Sequence, residues 1–209
     1  MRRPPRAGSG RTGSGPARPA LAVVLVILAA FAAACSPGSA TPSAGEVPIG
    51  ATAWPSGTTG QYGLHIDPSL LGRLPRNVGA YPLVEDADSE AAALSDADLA
   101  KTFDNYAAAA VGLIGDVNTL QLVIGHLRPE TQTPDVYTAW VSEYATGACS
   151  QADGVSGTNQ TTINDWVVDV STCSGGPIVY SLSLGNGTIL SMFDLGPKDL
   201  GRMLINQLN

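Results

Sequence analysis

Alternating apolar and polar positions predict strands in the last third of the chain. The alternation runs over 166–172 and again over 178–184, and Asn164-Asp165 marks a tight turn before the first of these segments. A period of two is typical of strands that bury one face and leave the other in water. Strand-like composition also marks three less regular segments, at 81–84, 120–127 and 161–163.

A second tight turn sets the expected register of the last two strands. Asn186 and Gly187 form the dipeptide most typical of a two-residue hairpin turn, because both positions require a positive φ. With this turn we expect cross-strand pairs on one apolar face, Leu184 with Ile189 and Tyr180 with Phe193.

Apolar residues at three- and four-residue spacing predict helices elsewhere. The longest stripe runs over 88–115, and Ser95 within it is a natural N-cap. A second helix is expected over 134–146, where Thr133 is the N-cap and proline occupies the first helical position. A last amphipathic stretch after residue 197 predicts a short C-terminal helix that lies back across the sheet.

These elements predict one α+β domain over residues 61–209. About 150 residues are enough for a single hydrophobic core. We expect two layers, a mostly antiparallel sheet of about four to six strands with the helices packed on one face.

The N-terminal part predicts export. Five arginines and no acidic residue lie in the first 20 residues, and a 14-residue apolar run follows over 21–34. A basic start and an apolar run shorter than the roughly 20 residues of a membrane span are typical of a signal peptide. Residues 1–34 are therefore a predicted signal peptide, with an uncleaved signal anchor as the alternative. Residues 35–60 are rich in Pro, Gly, Ser and Thr and predict a flexible tether.

The end of the apolar run resembles the signal of bacterial lipoproteins. Three alanines, Ala32 to Ala34, precede Cys35 and Ser36 follows it. The resemblance covers only the first 36 residues and departs from the family pattern at Ala32, where leucine is usual. It implies that Cys35 carries the lipid and anchors the protein on the extracytoplasmic side of the cell membrane. The same junction also fits an ordinary signal peptidase, which would release a secreted protein.

Charge excludes one class of partner. Beyond the signal, six basic residues face all 18 acidic residues, a formal net charge of −12. Such a surface repels nucleic acid, and no cluster of Lys or Arg counters this repulsion.

The cysteines predict one disulfide. If Cys35 carries a lipid, Cys149 and Cys173 remain as an even pair in an oxidising compartment. In the chain-entropy treatment a loop of this length stabilises the fold by roughly 3 to 4 kcal/mol. We expect a structural role, since the pair lacks the C-x-x-C spacing of redox sites.

Few residues carry a catalytic or metal-binding pattern. The two histidines, His65 and His126, have no nearby partner at metal-ligand spacing, and His126 is expected to be a hydrogen-bonded residue at the core edge. No metal or cofactor is therefore predicted. A run of acidic side chains invites a calcium hypothesis, and it comprises Glu85, Asp86, Asp88 and Glu90, followed by Asp96 and Asp98. These residues lack the spacing of a calcium loop, and helix capping and solvation explain them more simply. A carboxylate-based hydrolase would use two of Glu85, Asp86 and Asp88.

One aromatic stripe is the candidate ligand site. Tyr137, Trp140 and Tyr144 recur at helical spacing over 134–146. Such a stripe either packs into the core or lines a pocket between helix and sheet.

The leading hypothesis is a non-enzymatic envelope protein, lipid-anchored through Cys35, that acts as a binding or accessory module for an envelope protein. The alternative is a domain that binds a small apolar ligand or lipid at the aromatic stripe. A hydrolase that uses a carboxylate pair is the third hypothesis.

Overall fold

The computed structural model describes residues 57–112 and 117–209. The predicted signal peptide, Cys35 and most of the predicted tether lie outside the described residues. The strands are β1 (His65–Ile66), β2 (Asn77–Val78), β3 (Tyr81–Glu85), β4 (Phe103–Gly112), β5 (Thr119–Leu127), β6 (Val155–Ile163), β7 (Trp166–Cys173), β8 (Ile178–Gly185) and β9 (Thr188–Leu195). The α-helices are α1 (Ala87–Ala93), α2 (Ala97–Thr102), α3 (Pro134–Ala148) and α4 (Leu200–Ile205), and short 3-10 helices occur at Pro68–Arg73 and Pro129–Thr131.

The strands form one sheet in the order β2-β3-β4-β5-β9-β8-β7-β6, in which all neighbours are antiparallel. The short strand β1 adds a parallel pairing to β4. The prediction of an α+β fold with a mostly antiparallel sheet is confirmed. The expected strand number of four to six is too low, since the described residues contain nine strands.

β4 is the largest difference from the sequence-based expectation. The stripe over 88–115 predicted one long helix, whereas the structure has two short helices followed by the strand β4. The true cap of α2 is Asp96, whose carboxylate accepts hydrogen bonds from the N–H groups of Asp98 and Leu99. β4 is buried on both faces for much of its length, and a strand in this position has a continuous apolar run instead of an alternation. Its alanines therefore mimic helical periodicity.

The helices cover both faces of the sheet, so the expectation that they pack on one face is wrong. We name the two sides by their helices. The α4 face carries apolar side chains such as Leu122, Leu190 and Met192, and α4 packs on it through Leu200 and Leu204. The α3 face is covered by α1, α2 and α3. Both faces of the central strands must therefore be apolar or have internal polar partners.

The two predicted hairpin turns are present, but one register differs. Asn164 and Asp165 have φ values of +48° and +67°, and Asn186 and Gly187 have values of +50° and +72°. In the β8–β9 hairpin the pairs are Tyr180 with Met192 and Leu182 with Leu190, one residue away from the expected register. The shift occurs between Ser183 and Gly185, where a bulge inserts one residue. Ile189 and Phe193 consequently face α3, not α4.

The disulfide predicted from the sequence is present. Cys149 follows the end of α3 and is joined to Cys173 at the end of β7, with 5.2 Å between the two Cα atoms. Both cysteines are fully buried. The bond fixes one end of α3 to the sheet.

We expect the double variant Cys149→Ser/Cys173→Ser to unfold at a lower urea concentration, with a loss of about 3 kcal/mol in the free energy of unfolding, because the unfolded chain regains the entropy of a 24-residue loop. Urea titration followed by circular dichroism measures this loss. Wild-type protein in reducing agent is the control and should lose a similar amount. An unchanged urea midpoint in the double variant would contradict the structural role.

Candidate functional site

The aromatic stripe of α3 lies over the α3 face of the sheet. Trp140 is at its centre. Its ring packs edge to face on Phe103 with 4.8 Å between the ring centroids, and its centroid lies 5.6 Å from that of Tyr144. The structure thus brings together the three predicted lining residues. Whether they line a pocket or pack into the core depends on the side chains around them.

Tyr137 attaches the first half of α3 to the sheet. Its hydroxyl donates a hydrogen bond of 2.7 Å to Asp169 Oδ2 and also lies 3.4 Å from the carbonyl oxygen of Ser181. Gln160 Nε2 donates to the other oxygen of Asp169 at 3.1 Å. Burial raises the pKa of Tyr137, and the hydrogen bond and charge of Asp169 raise it further. The phenol therefore stays protonated and remains a donor at physiological pH.

Trp140 has a polar partner of its own. Its indole Nε1 donates to Ser191 Oγ at 3.0 Å, and Ser191 Oγ lies 2.9 Å from Ser181 Oγ. Both serines are buried, so their hydroxyl groups need internal partners. The sheet beneath this part of α3 is therefore polar, and its hydroxyl groups are satisfied by one another and by the indole.

A glycine in β5 makes this packing possible. A Cβ atom at Gly125 would lie only 2.4 Å from the ring of Phe103. The absent side chain lets the ring lie directly on the strand, and Trp140 then packs edge to face on that ring. Burial also raises the pKa of Tyr144, which lies next to Trp140. The centre of the stripe, Trp140, is therefore packed against Phe103 and hydrogen-bonded to Ser191.

The acidic residues near α1 and α2 act mainly as helix caps. Asp86 accepts hydrogen bonds from the backbone N–H of Ser89 at 3.1 Å and from its hydroxyl at 2.7 Å. Asp96 caps α2 in the same way, and Asp98 pairs with Lys101 at 2.6 Å. The capping explanation is confirmed for Asp86 and Asp96.

Glu90 fills a gap in the sheet. β1 pairs with β4 at Asn105 and Tyr106, β3 pairs with it from Ala109 onwards, and neither of these two strands reaches Ala108. Glu90 Oε1 accepts the N–H of Ala108 at 3.1 Å. A carboxylate thus takes the place of a strand carbonyl.

The gap makes Glu90 the most perturbed carboxyl group of this region. Its side chain is 5% exposed. Burial raises its pKa from 4.5 to about 7, the hydrogen bond from Ala108 opposes the rise, and the nearby Glu85 and Asp86 add to it. A carboxyl group with a raised pKa could serve as a general acid, but Glu90 is buried and engaged with the Ala108 N–H.

A second buried carboxyl group lies where β9 meets α4. Asp194 Oδ2 accepts the N–H of Gly201 at 2.8 Å, whereas its buried Oδ1 has no hydrogen-bond partner among the described residues. Burial, opposed by the hydrogen bond from Gly201 and assisted by the neighbouring Asp199, raises the pKa of Asp194 to about 6. Asp199 also accepts from the Tyr180 hydroxyl at 2.7 Å.

The histidines are hydrogen-bonded at the edges of the fold. His126 Nδ1 lies 2.9 Å from Asp104 Oδ1, and the two side chains are 32% and 31% exposed. Asp104 also accepts from Asn105. Asp104 is 22 residues from His126 in the sequence and is brought close to it by the β4–β5 pairing. Local sequence spacing therefore could not indicate this contact. His65 Nδ1 contacts Thr59 Oγ1 at 3.0 Å.

The sequence analysis explained Glu90 by helix capping and solvation and did not single out Asp194, whereas the structure buries both carboxyl groups. Asp194 follows Leu190 and Met192 on the inward-facing side of β9, and a carboxyl group at the next position of an apolar series is a usable signal. Glu90 has no such signal, because its role depends on a gap between two other strands.

No protein-family model, no curated protein and no solved structure matches this chain. Within residues 57–112 and 117–209, no three His, Cys, Asp or Glu residues are grouped to hold a metal ion. In the same part of the chain no helix is long and apolar enough to cross a membrane.

We expect Glu90→Gln to stabilise the protein at high pH and to change little at low pH. The folded-state pKa of Glu90 lies above its ordinary value, so its favourable contribution is complete below about pH 4.5 and is lost as the pH rises through about 7. Glutamine keeps the acceptor for the Ala108 N–H and carries no charge. The urea midpoints of wild type and variant, measured near pH 5 and near pH 8, give the comparison.

Asp88→Asn, on the exposed side of the same helix, is the matched control and should shift both midpoints equally. A Glu90→Gln effect of equal size at both pH values would contradict the assignment of a raised pKa.

Proposed function

We propose that this protein is an exported binding module, anchored by a lipid on Cys35, that works without catalysis on the outer side of the cell membrane. Residues 1–34 direct export, and residues 35–60 form a tether that holds the fold clear of the membrane surface. The disulfide between Cys149 and Cys173 supports an oxidising compartment. The partner is an envelope macromolecule, and the net charge beyond the signal disfavours nucleic acid.

One observation favours a macromolecular partner over a small apolar ligand. The aromatic stripe of α3 is engaged with the protein itself, through Tyr137 to Asp169 and through Trp140 to Ser191 and Phe103. An apolar ligand between helix and sheet would have to break these contacts and would then meet buried hydroxyl groups. This arrangement supports a packed interface between α3 and the sheet, and not a ligand pocket.

A hydrolase is the weaker alternative, and among the described carboxyl groups Glu90 has its pKa raised closest to neutrality. Its raised pKa would suit a general acid. Its contact with the Ala108 N–H of β4 and its burial support a structural role instead, because a general acid must reach its substrate directly or through one water molecule.

The anchor predicts a defined mature N-terminus. Mass spectrometry of protein purified from membranes should find Cys35 as the first residue, with a mass increase that corresponds to its lipid. Cys35→Ser should abolish that modification and move the protein to the soluble fraction. A wild-type N-terminus at an unmodified Cys35 or at Ser36 would contradict the anchor and support a secreted form.

The binding function predicts a partner within crosslinking distance in intact cells. A photoreactive residue is introduced separately at three exposed positions, Asn159 in β6, Glu143 in α3 and Arg202 in α4. We expect at least one position to give a discrete covalent adduct with an envelope macromolecule, while the other positions serve as matched controls for random collision. Properly exported protein that gives no adduct from any of the three faces would contradict the proposal.

A further inference from the structure

The sheet ends in a long strand that is exposed along almost its whole length. β6 spans nine residues, and eight of them are exposed, with only Ile163 buried. Among the strands of residues 57–112 and 117–209 it is the last in the sheet order, and within these residues it pairs only with β7. One side of its backbone is therefore available to another extended chain.

β6 lacks most of the features that protect sheet edges. Charged side chains, proline, short length and bulges commonly prevent edge strands from pairing with other proteins. β6 contains no charged residue and no proline, and its single register shift lies at its start, between Val155 and Gly157. The stretch 158–163 pairs regularly with β7.

The opposite edge of the sheet is protected. It is formed by β2, which has two residues, and by β3, which contains Pro82. Short length and proline are both features that block pairing. The β2–β3 edge is thus protected from pairing with another chain, whereas the β6 edge is not.

The hairpin turn determines which backbone groups of β6 point outward. Ile163 and Trp166 flank the two-residue turn at Asn164-Asp165 and pair with each other, and in such hairpins the flanking residues exchange hydrogen bonds. Alternate residues then direct their N–H and C=O groups away from β7. On β6 these residues are Thr158, Gln160 and Thr162.

The charged residues at the two ends of β6 indicate which kind of strand could pair with it. Asp153 precedes the strand and Asp165 follows it in the turn, and both side chains are exposed. In an antiparallel pairing of two copies through β6, Asp153 of one copy would approach Asp165 of the other at each end, which is repulsive. A strand that carries basic residues at its ends would instead be attracted at both ends.

We propose that β6 is a docking edge for an extended polypeptide segment with an uncharged core and with lysine or arginine at both ends. This inference rests on the proposed function as a binding module and names its surface and partner chemistry. Backbone hydrogen bonds to Thr158, Gln160 and Thr162 supply the pairing, and the aspartates at the ends select the charge.

The test uses two synthetic peptides and the folded protein. Both peptides share a core of alternating threonine and valine, and one is flanked by lysines and the other by glutamates. Titrations followed by fluorescence anisotropy should show the lysine-flanked peptide binding at least about tenfold more tightly. In Asp153→Asn/Asp165→Asn the ratio should approach one, and asparagine is suited to both positions because each has a positive φ.

A matched pair of variants tests the backbone contact. Gln160→Pro removes one outward N–H group and should abolish binding of both peptides, while Gln160→Thr keeps that group and should bind as wild type does. Circular dichroism and melting temperature confirm that both variants are folded. Should Gln160→Pro itself unfold, Thr162→Pro against Thr162→Val supplies the same comparison.

Three results would overturn the proposal: equal binding of the two peptides by wild type, retention of binding by a folded Gln160→Pro variant, or no binding of either peptide. A concentration-dependent dimer in sedimentation that Gln160→Pro abolishes would assign the edge to a second copy of the chain. The cellular crosslinking asks whether any partner exists, whereas these titrations examine only β6, so either can fail while the other succeeds.

Discussion

The pairing of β5 with β9 is the contact on which the fold depends. These strands are separated in the sequence by α3 and three other strands, yet they pair over eight consecutive positions. Closing so long a loop costs chain entropy before any contact forms, and burial of apolar side chains must offset that cost. β5 and β9 meet this requirement because both faces of their pairing are covered, by α4 on one side and by α3 on the other. Without it, the β2–β5 strands and the β6–β9 strands would be separate sheets, each with one more open edge.

The two faces of this central pairing are stabilised by different means. On the α4 face the contacts are mainly apolar, and the carboxyl groups of Asp194 and Asp199 lie where α4 begins. On the α3 face an aromatic side chain lies over a glycine, and the indole of Trp140 and the hydroxyl of Tyr137 bond to polar groups of the sheet. α3 buries only Ala145 and Gly147 completely. Directed hydrogen bonds and the disulfide therefore act together with the partly buried aromatic side chains to hold α3 on the sheet.

The parts that could be predicted from the sequence are those determined by local chemistry. The hairpin turns, the capped start of α3, the C-terminal helix and the cysteine pair all follow from short patterns. The parts that could not be predicted depend on contacts distant in the chain. β4 resembled a helix because a strand covered on both sides loses its alternation, the bulge near Gly185 moved the β8–β9 register by one, and Glu90 has meaning only where β1 and β3 leave a gap. For the same reason, only the structure shows that the polar tips of Tyr137 and Trp140 point to the sheet.

Outward from the central pairing the strands become steadily less buried. β9 has six buried residues, β7 has three and β6 has one. β6 adds little apolar burial to the fold, and its outer backbone groups exchange hydrogen bonds with water, so it contributes less to stability than any inner strand of similar length. A strand kept only to cover β7 could be short, as β2 is at the other edge. Neither the length of β6 nor its lack of charged residues is explained by its contribution to the stability of the core. Pairing with a strand of another molecule would use both features.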